Sequence, residues 1–138
     1  MGANILNTML EALKGELESL TGGNSLMAIL SNYATESLVT SSCTIDFHHL
    51  SRNKIEAEKI AKKIVLASQF AKIDIYRAST HNKGIFNGID AVLLAAGNDW
   101  RAIEAGAHAY ASHTGQYKGL TTWSIIAVSY THLTLPTT

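Results

Sequence analysis

The sequence predicts an α+β fold in which long helices are joined to short strands. Four stretches repeat apolar residues every three or four positions, one stretch alternates apolar and polar residues, and glycine or asparagine breaks fall between them. The 138 residues are enough for a single domain with a real core.

The first stripe runs from Ile5 to Leu20, with Leu6, Met9, Leu10, Leu13, Leu17 and Leu20 on one helical side, and Gly22 and Gly23 stop it. Leu26–Leu30 is a short apolar run between turn residues and reads as a buried strand ending at Ser31 and Asn32. From Val39 to Phe47 the pattern alternates: Val39, Cys43, Ile45 and Phe47 share one face, and Thr40, Ser42, Thr44 and Asp46 the other. That is a half-buried strand, and it places Cys43 in the packing face as an inert thiol. Asn53 with Glu56 three residues on has the form of a capping box, after which Ile60, Ile64, Ala67 and Ala71 continue a long helix. A third helix is expected from near Asn82 to Ala96, with Gly84, Gly88, Ala91 and Ala95 forming a small-residue stripe. Gly97 and Asn98 break it, and Asp99 can cap a fourth helix that runs to about Ser112.

Eleven basic residues balance eleven acidic ones, so no long-range field attracts nucleic acid or an anionic membrane surface. No apolar run approaches the 18 or more residues of a membrane span. The lone Cys43 cannot form an internal disulfide, and no basic region leads into an apolar core at the N-terminus, so the expected location is cytoplasmic. The six histidines show no HExxH or similar spacing, so no metal site is expected. No G-x-G-x-x-G follows a strand, which argues against an ordinary nicotinamide dehydrogenase.

The densest polar cluster is Tyr76-Arg-Ala-Ser-Thr-His-Asn-Lys-Gly84, leading into an apolar helix. Lys83 and Asn87 are four apart and so share one face of that helix, near its positive dipole end and the cation of Arg77. Such a site suits an anionic substrate. A solvated helix start with an ordinary surface lysine accounts for the same spacing. Asp90 reads as a surface or packing residue, and Trp100 and Tyr110 as core or interface aromatics.

The run YRASTHNKGIFNGIDAVLLAAGNDWRAIEAGAHAYA, from Tyr76 to Ala111, resembles the signature region of class II 3-hydroxy-3-methylglutaryl-CoA (HMG-CoA) reductases. Met1-Gly-Ala-Asn4, Ile29-Leu-Ser-Asn32 and Leu120-Thr-Thr-Trp123 resemble further family motifs at consistent spacing, so that the likeness covers roughly residues 1–123. It implies a fragment of that family's catalytic fold: the end of the ferredoxin-like cofactor domain over residues 1–36, and part of the large substrate domain over 37–123. The implied reaction interconverts HMG-CoA with mevalonate and CoA by two hydride transfers, with NADH or NADPH as cofactor and a homodimer as the complete enzyme. Lys83 matches the family's lysine, which supports the oxyanion formed when hydride adds to the thioester carbonyl. Asp99 matches the carboxylate of the G-N-D motif, a catalytic partner that keeps the lysine charged. Arg77 and Asn87 match substrate-binding positions at the hydroxymethylglutaryl end. Met1, Gly2, Ala3 and Asn4 match a cofactor loop just before the first helix, and Asn32 another cofactor-side position.

The departures are as informative. The leading Asp-Ala of the loop, an upstream glutamate and a downstream histidine of the family have no counterpart here, while Ala96, Phe86 and Ser79 replace frequent threonine, methionine and alanine. The chain alone is therefore expected to be a catalytically incompetent piece, at most a dimerisation or structural module. Residues 124–138 read as a tail outside the family pattern. Val128–Thr138 can be encoded by a sequence resembling a transposon-end sequencing adapter, so the tail is expected to lack specific packing and Met1 to be an internal methionine of a longer protein.

Overall fold

In the computed structural model, which describes residues 2–127 and 130–137, the chain divides into two compact units, Met1–Asn32 and Tyr33–Thr138. The division falls a few residues before the boundary expected after residue 36.

The first unit is one long helix with a strap. Helix α1 spans Gly2–Thr21, and Gly22, at φ 69°, ends it in the left-handed conformation that glycine adopts without strain. The strap runs back along the helix. The Ser25 amide donates to Glu18 Oε1 at 2.8 Å and the Leu30 amide to Asn7 Oδ1 at 2.9 Å. Those bonds satisfy the strap's amides with helix side chains, so Leu26–Leu30 forms no strand, contrary to its apolar pattern. Leu26 is 90% exposed. The helical stripe of Leu6, Met9, Leu13 and Leu17 is real as periodicity, yet no residue of α1 is buried.

The second unit opens with strand β1, Val39–Asp46, which leads directly into the short helix α2, Phe47–Leu50. The alternation did locate the strand. Its burial did not follow, because Val39 to Thr44 are all exposed and Cys43 is an exposed free thiol, not a packed one. Helix α3 covers Lys54–Ile73, with the Asn53 side chain accepting from the Glu56 amide at 3.2 Å as the capping pattern predicts. Glu56 does not complete the box; its carboxylate accepts from Ser51 Oγ at 2.7 Å.

Helix α4 spans Ile75–Ala95 and begins seven residues before the expected start near Asn82. Asp74 is the reason. It closes α3, its amide donating to Phe70 O at 3.0 Å, and opens α4, its carboxylate accepting from the Arg77 amide at 2.7 Å. The polar run Tyr76–Lys83 is thus helix rather than approach loop. At the other end Gly97, at φ 68°, and Asn98 donate to Leu94 O and Leu93 O at 3.1 and 2.9 Å, a Schellman closure. Helix α5, Trp100–Ala111, then returns, capped by Asp99, whose Oδ1 accepts from the Ala102 amide at 3.2 Å.

Strands β2, Thr122–Ala127, and β3, Tyr130–Thr137, complete an antiparallel sheet of order β1-β3-β2. Asp46 lies opposite Tyr130 and Thr122 opposite Thr134. This departs from the expectation that the tail lacks specific packing, in that its backbone pairs with two strands. Tyr130, Thr131 and Thr134 are residue types favoured in strands, so the segment suits the two strand edges it meets. Val128, Ser129 and Thr138 of that tail lie outside the described residues.

Among the described residues, two small cores hold this unit. Phe47 packs with Ala57, Ala61 and Leu50, and Phe86 with Ala107, Ala111 and Leu120.

Candidate functional site

Helix α4 has two faces of opposite character. Ala78, Asn82 and Phe86 point inward and are buried. Lys83, Gly84, Asn87, Gly88 and Ala91 are exposed, and a Cβ built on Gly84 or Gly88 would meet nothing within 4 Å. Lys83 and Asn87 therefore share one uncovered face, as their spacing predicts. The expected dipole contribution does not hold, because Lys83 is two turns into the helix and the field of a helix end fades within the first turn. Arg77 is in that first turn, half-buried, and its guanidinium adds to burial in holding the His81 imidazole below its ordinary pKa.

Asp99 is exposed and occupied as a helix cap. It forms no ion pair with Lys83, and the fold explains why. From Lys83 to Ala95 the helix advances 12 residues, about 18 Å of axis at 1.5 Å each. Helix α5 then packs back along α4: the rings of Phe86 and His108 lie 5.0 Å apart, and Glu104 helps burial raise the Asp90 pKa. Asp99 stands at one end of this helical hairpin and Lys83 near the other. Within one chain the structure does not bring the two together.

The residues expected on the cofactor side belong to the first unit. Gly2, Ala3 and Asn4 form the first turn of α1 rather than a loop before it, with Asn4 O accepting from Thr8 Oγ1 at 2.9 Å. Amides of such a turn have no partner within the helix and can meet phosphate oxygens. Asn32 is exposed at the end of the strap, and Met1 lies outside the described residues.

The best-built polar feature is one that sequence reasoning passed over. Asn82 is fully buried; its Nδ2 donates to Lys118 O at 3.0 Å and its Oδ1 accepts from the Leu120 amide at 2.8 Å. Ser68 Oγ lies 3.5 Å from Thr121 O and accepts from the Trp123 amide at 3.1 Å, while His81 Nε2 is hydrogen-bonded to Thr121 Oγ1. Lys72 Nζ donates to Gly119 O at 2.8 Å. The Gly119 backbone presses so closely on α3 that an added Cβ would sit 3.0 Å from Ala71 Cβ. These bonds lock the Lys118–Trp123 segment between α3 and α4. Their sequence signal was slight: Asn82 stands beside Lys83 in an apparently solvated run. A second omission is Asp46, His48 and His49, whose candidate ligand atoms all lie within 4.8 Å of one another although no standard metal motif joins them.

Comparison with known proteins gives a consistent picture. Residues 1–138, including the tail expected to fall outside, match the family model described as hydroxymethylglutaryl-coenzyme A reductase. A 3-hydroxy-3-methylglutaryl-coenzyme A reductase of Archaeoglobus fulgidus is 46% identical over 125 residues, 91% of this chain and 27% of that protein. A probable reductase of the same name from Borreliella burgdorferi is 40% identical over 117 residues, 85% of this chain and again 27% of that protein. The chain thus spans about a quarter of the length of these relatives. Among solved structures, the reductase of Streptococcus pneumoniae superposes with a TM-score of 0.89 at 63% identity, covering 99% of this chain and 32% of that one. A class II structure from the same organism, bound to NADPH in open conformations, matches with the same score and identity.

Proposed function

Because the chain belongs to the hydroxymethylglutaryl-coenzyme A reductase family, we propose that it supplies part of a centre interconverting HMG-CoA with mevalonate and CoA. Two hydride transfers with NADH or NADPH would carry the change from thioester to alcohol. The observation that most supports this is the uncovered face of α4, where Lys83 and Asn87 stand one turn apart beside glycines that leave room for a close approach.

Each residue has a role that its position allows. Hydride addition to a thioester carbonyl places negative charge on oxygen, and the Lys83 ammonium is the group offered to that oxyanion. Asn87 orients the same end of the substrate by hydrogen bonding, and Arg77 pairs with its free carboxylate. Asp99 is the carboxylate that keeps the lysine charged. The axial separation of about 18 Å favours a centre in which Lys83 and Asp99 come from two copies of the chain, as a homodimer would provide. First-turn amides of α1, from Gly2 to Asn4, and Asn32 serve the dinucleotide.

Two measurements on the complete enzyme test this reading. Lys83→Ala should lower turnover roughly a hundredfold or more, the loss typical of one oxyanion-stabilising group, with a smaller effect on substrate KM. Near-normal turnover refutes the assignment. Co-expression of Lys83→Ala and Asp99→Ala subunits should restore activity in mixed dimers that neither variant shows alone. If the mixture stays inactive, the two residues do not meet across copies.

A further inference from the structure

We propose that Asp46, His48 and His49 form a surface site for a borderline-soft divalent cation of the zinc type. The three residues sit where β1 ends and α2 begins, and each offers one ligand atom within 4.8 Å of the other two. His48 Nδ1 is 3.7 Å from Asp46 Oδ2, and the His48 and His49 rings have centroids 3.9 Å apart. Ligands bound to tetrahedral zinc at about 2.0–2.1 Å lie about 3.4 Å from one another. The constellation therefore needs to contract by little more than an ångström, within reach of side-chain torsions alone.

Local structure holds it in this near-ligating state. Phe47, between the aspartate and the first histidine, is buried against Ala57, Ala61 and Leu50 and anchors the turn. With that ring turned inward, its neighbours on both sides face outward; the side chains of Asp46 and His48 are 38% and 69% exposed. Asp46 occupies the N-cap position of α2, yet its carboxylate makes no cap bond and remains available to a cation. Two imidazoles and one carboxylate match the donor preference of zinc, and of cobalt, nickel and copper, better than that of magnesium or calcium. Three protein ligands on a surface turn leave a fourth position open to water.

Zinc chloride titrated into the full 138-residue chain, followed by calorimetry, should show one equivalent bound. Cobalt(II) in its place should develop the visible absorption of a four- or five-coordinate ion. The double variant His48→Ala/His49→Ala should bind zinc at least tenfold more weakly, since even loss of a supporting residue around a metal ligand costs about tenfold to a hundredfold. His113→Ala, which removes an exposed histidine elsewhere in the unit, should bind like the parent. Far-UV circular dichroism checks that the variants fold alike. Should the double variant misfold, Asp46→Asn carries the test, because it keeps the side chain's shape while weakening the carboxylate ligand. The proposal is overturned if the double variant, or a folded Asp46→Asn when that carries the test, binds as tightly as the parent. It is equally overturned if His113→Ala weakens binding as much as the double variant.

Discussion

Replacing Asn82 by alanine should destabilise the second unit far more than any exposed polar substitution on the same helix. Asn82 is completely buried and bridges two backbone groups, donating to Lys118 O and accepting from the Leu120 amide. Alanine leaves both without partners. The Leu120 amide lies in the core, where an unsatisfied donor costs about 1–3 kcal/mol. Lys118 O is partly buried and can be rehydrated, so its loss is nearer the ordinary net value of about 0.5–1.5 kcal/mol. Together these give roughly 2–4 kcal/mol, a large share of the 5–15 kcal/mol typical of a domain. Urea denaturation of the full chain, followed by far-UV circular dichroism, measures it as a lower midpoint at unchanged slope. Asn87→Ala, on the exposed face five residues along, is the internal control and should fall within about 0.5 kcal/mol of the parent. Asn82→Asp should be no better than alanine: it can still accept from Leu120, but it sets a carboxylate oxygen against the Lys118 carbonyl. If Asn82→Ala behaves like Asn87→Ala, the lock between α3 and α4 is not what holds the Lys118–Trp123 segment.

Three further outcomes are expected. Burial, then Arg77, then Lys72 hold the His81 pKa below its ordinary value, so as pH falls through the ordinary histidine value of about 6.5 the unfolded chain takes up the proton first and the protein loses stability. In His81→Gln that component should vanish, and an unchanged pH dependence of the urea midpoint would exclude it. Because Leu6, Met9, Leu13 and Leu17 are all more than half exposed along α1, the isolated chain should self-associate. Sedimentation should then show a smaller species for Leu13→Glu/Leu17→Glu, and a parent already monomeric at high concentration would contradict this. The chain alone should show no HMG-CoA-dependent oxidation of NADH or NADPH, because the upstream glutamate and downstream histidine of the family have no match in it; robust turnover would disprove that reading.

What the sequence made legible was local, and what it hid was non-local. The caps at Asn53 and Asp99 and the break at Gly97 were readable because each depends only on residues within one turn. The start of α4 was missed for a related reason: Asp74 is a good cap, but it follows α3 with no intervening loop, and the polar run after it looks like solvated coil. β1 shows the limit most plainly. Its alternation specified a strand, but burial needs a second layer, and Val39 to Thr44 are exposed. The family resemblance picked out Lys83 by motif, yet a motif carries no distance, and only the length of α4 shows how far Lys83 lies from Asp99.

The same limit separates two adjacent residues. Asn82 and Lys83 are neighbours in a single polar run, and one helical step of about 100° turns the first into the core and the second to the open face. Pattern reading could place both only near the start of one helix, because the phase of a helix whose start is misplaced cannot be known. Once Asp74 fixes that start, Ala78, Asn82 and Phe86 fall on one line at intervals of four, and the buried asparagine takes its place in a core stripe. The amide on that line locks the segment ending in Leu120-Thr-Thr-Trp123, and so holds in place the face from which Lys83 projects. On the proposed reading, the structural demand on the run from Tyr76 to Asn87 and its catalytic role are met by different faces of one helix. A substitution at Asn82 should then impair the complete enzyme through loss of folded protein, whereas one at Lys83 should impair turnover in protein that remains folded.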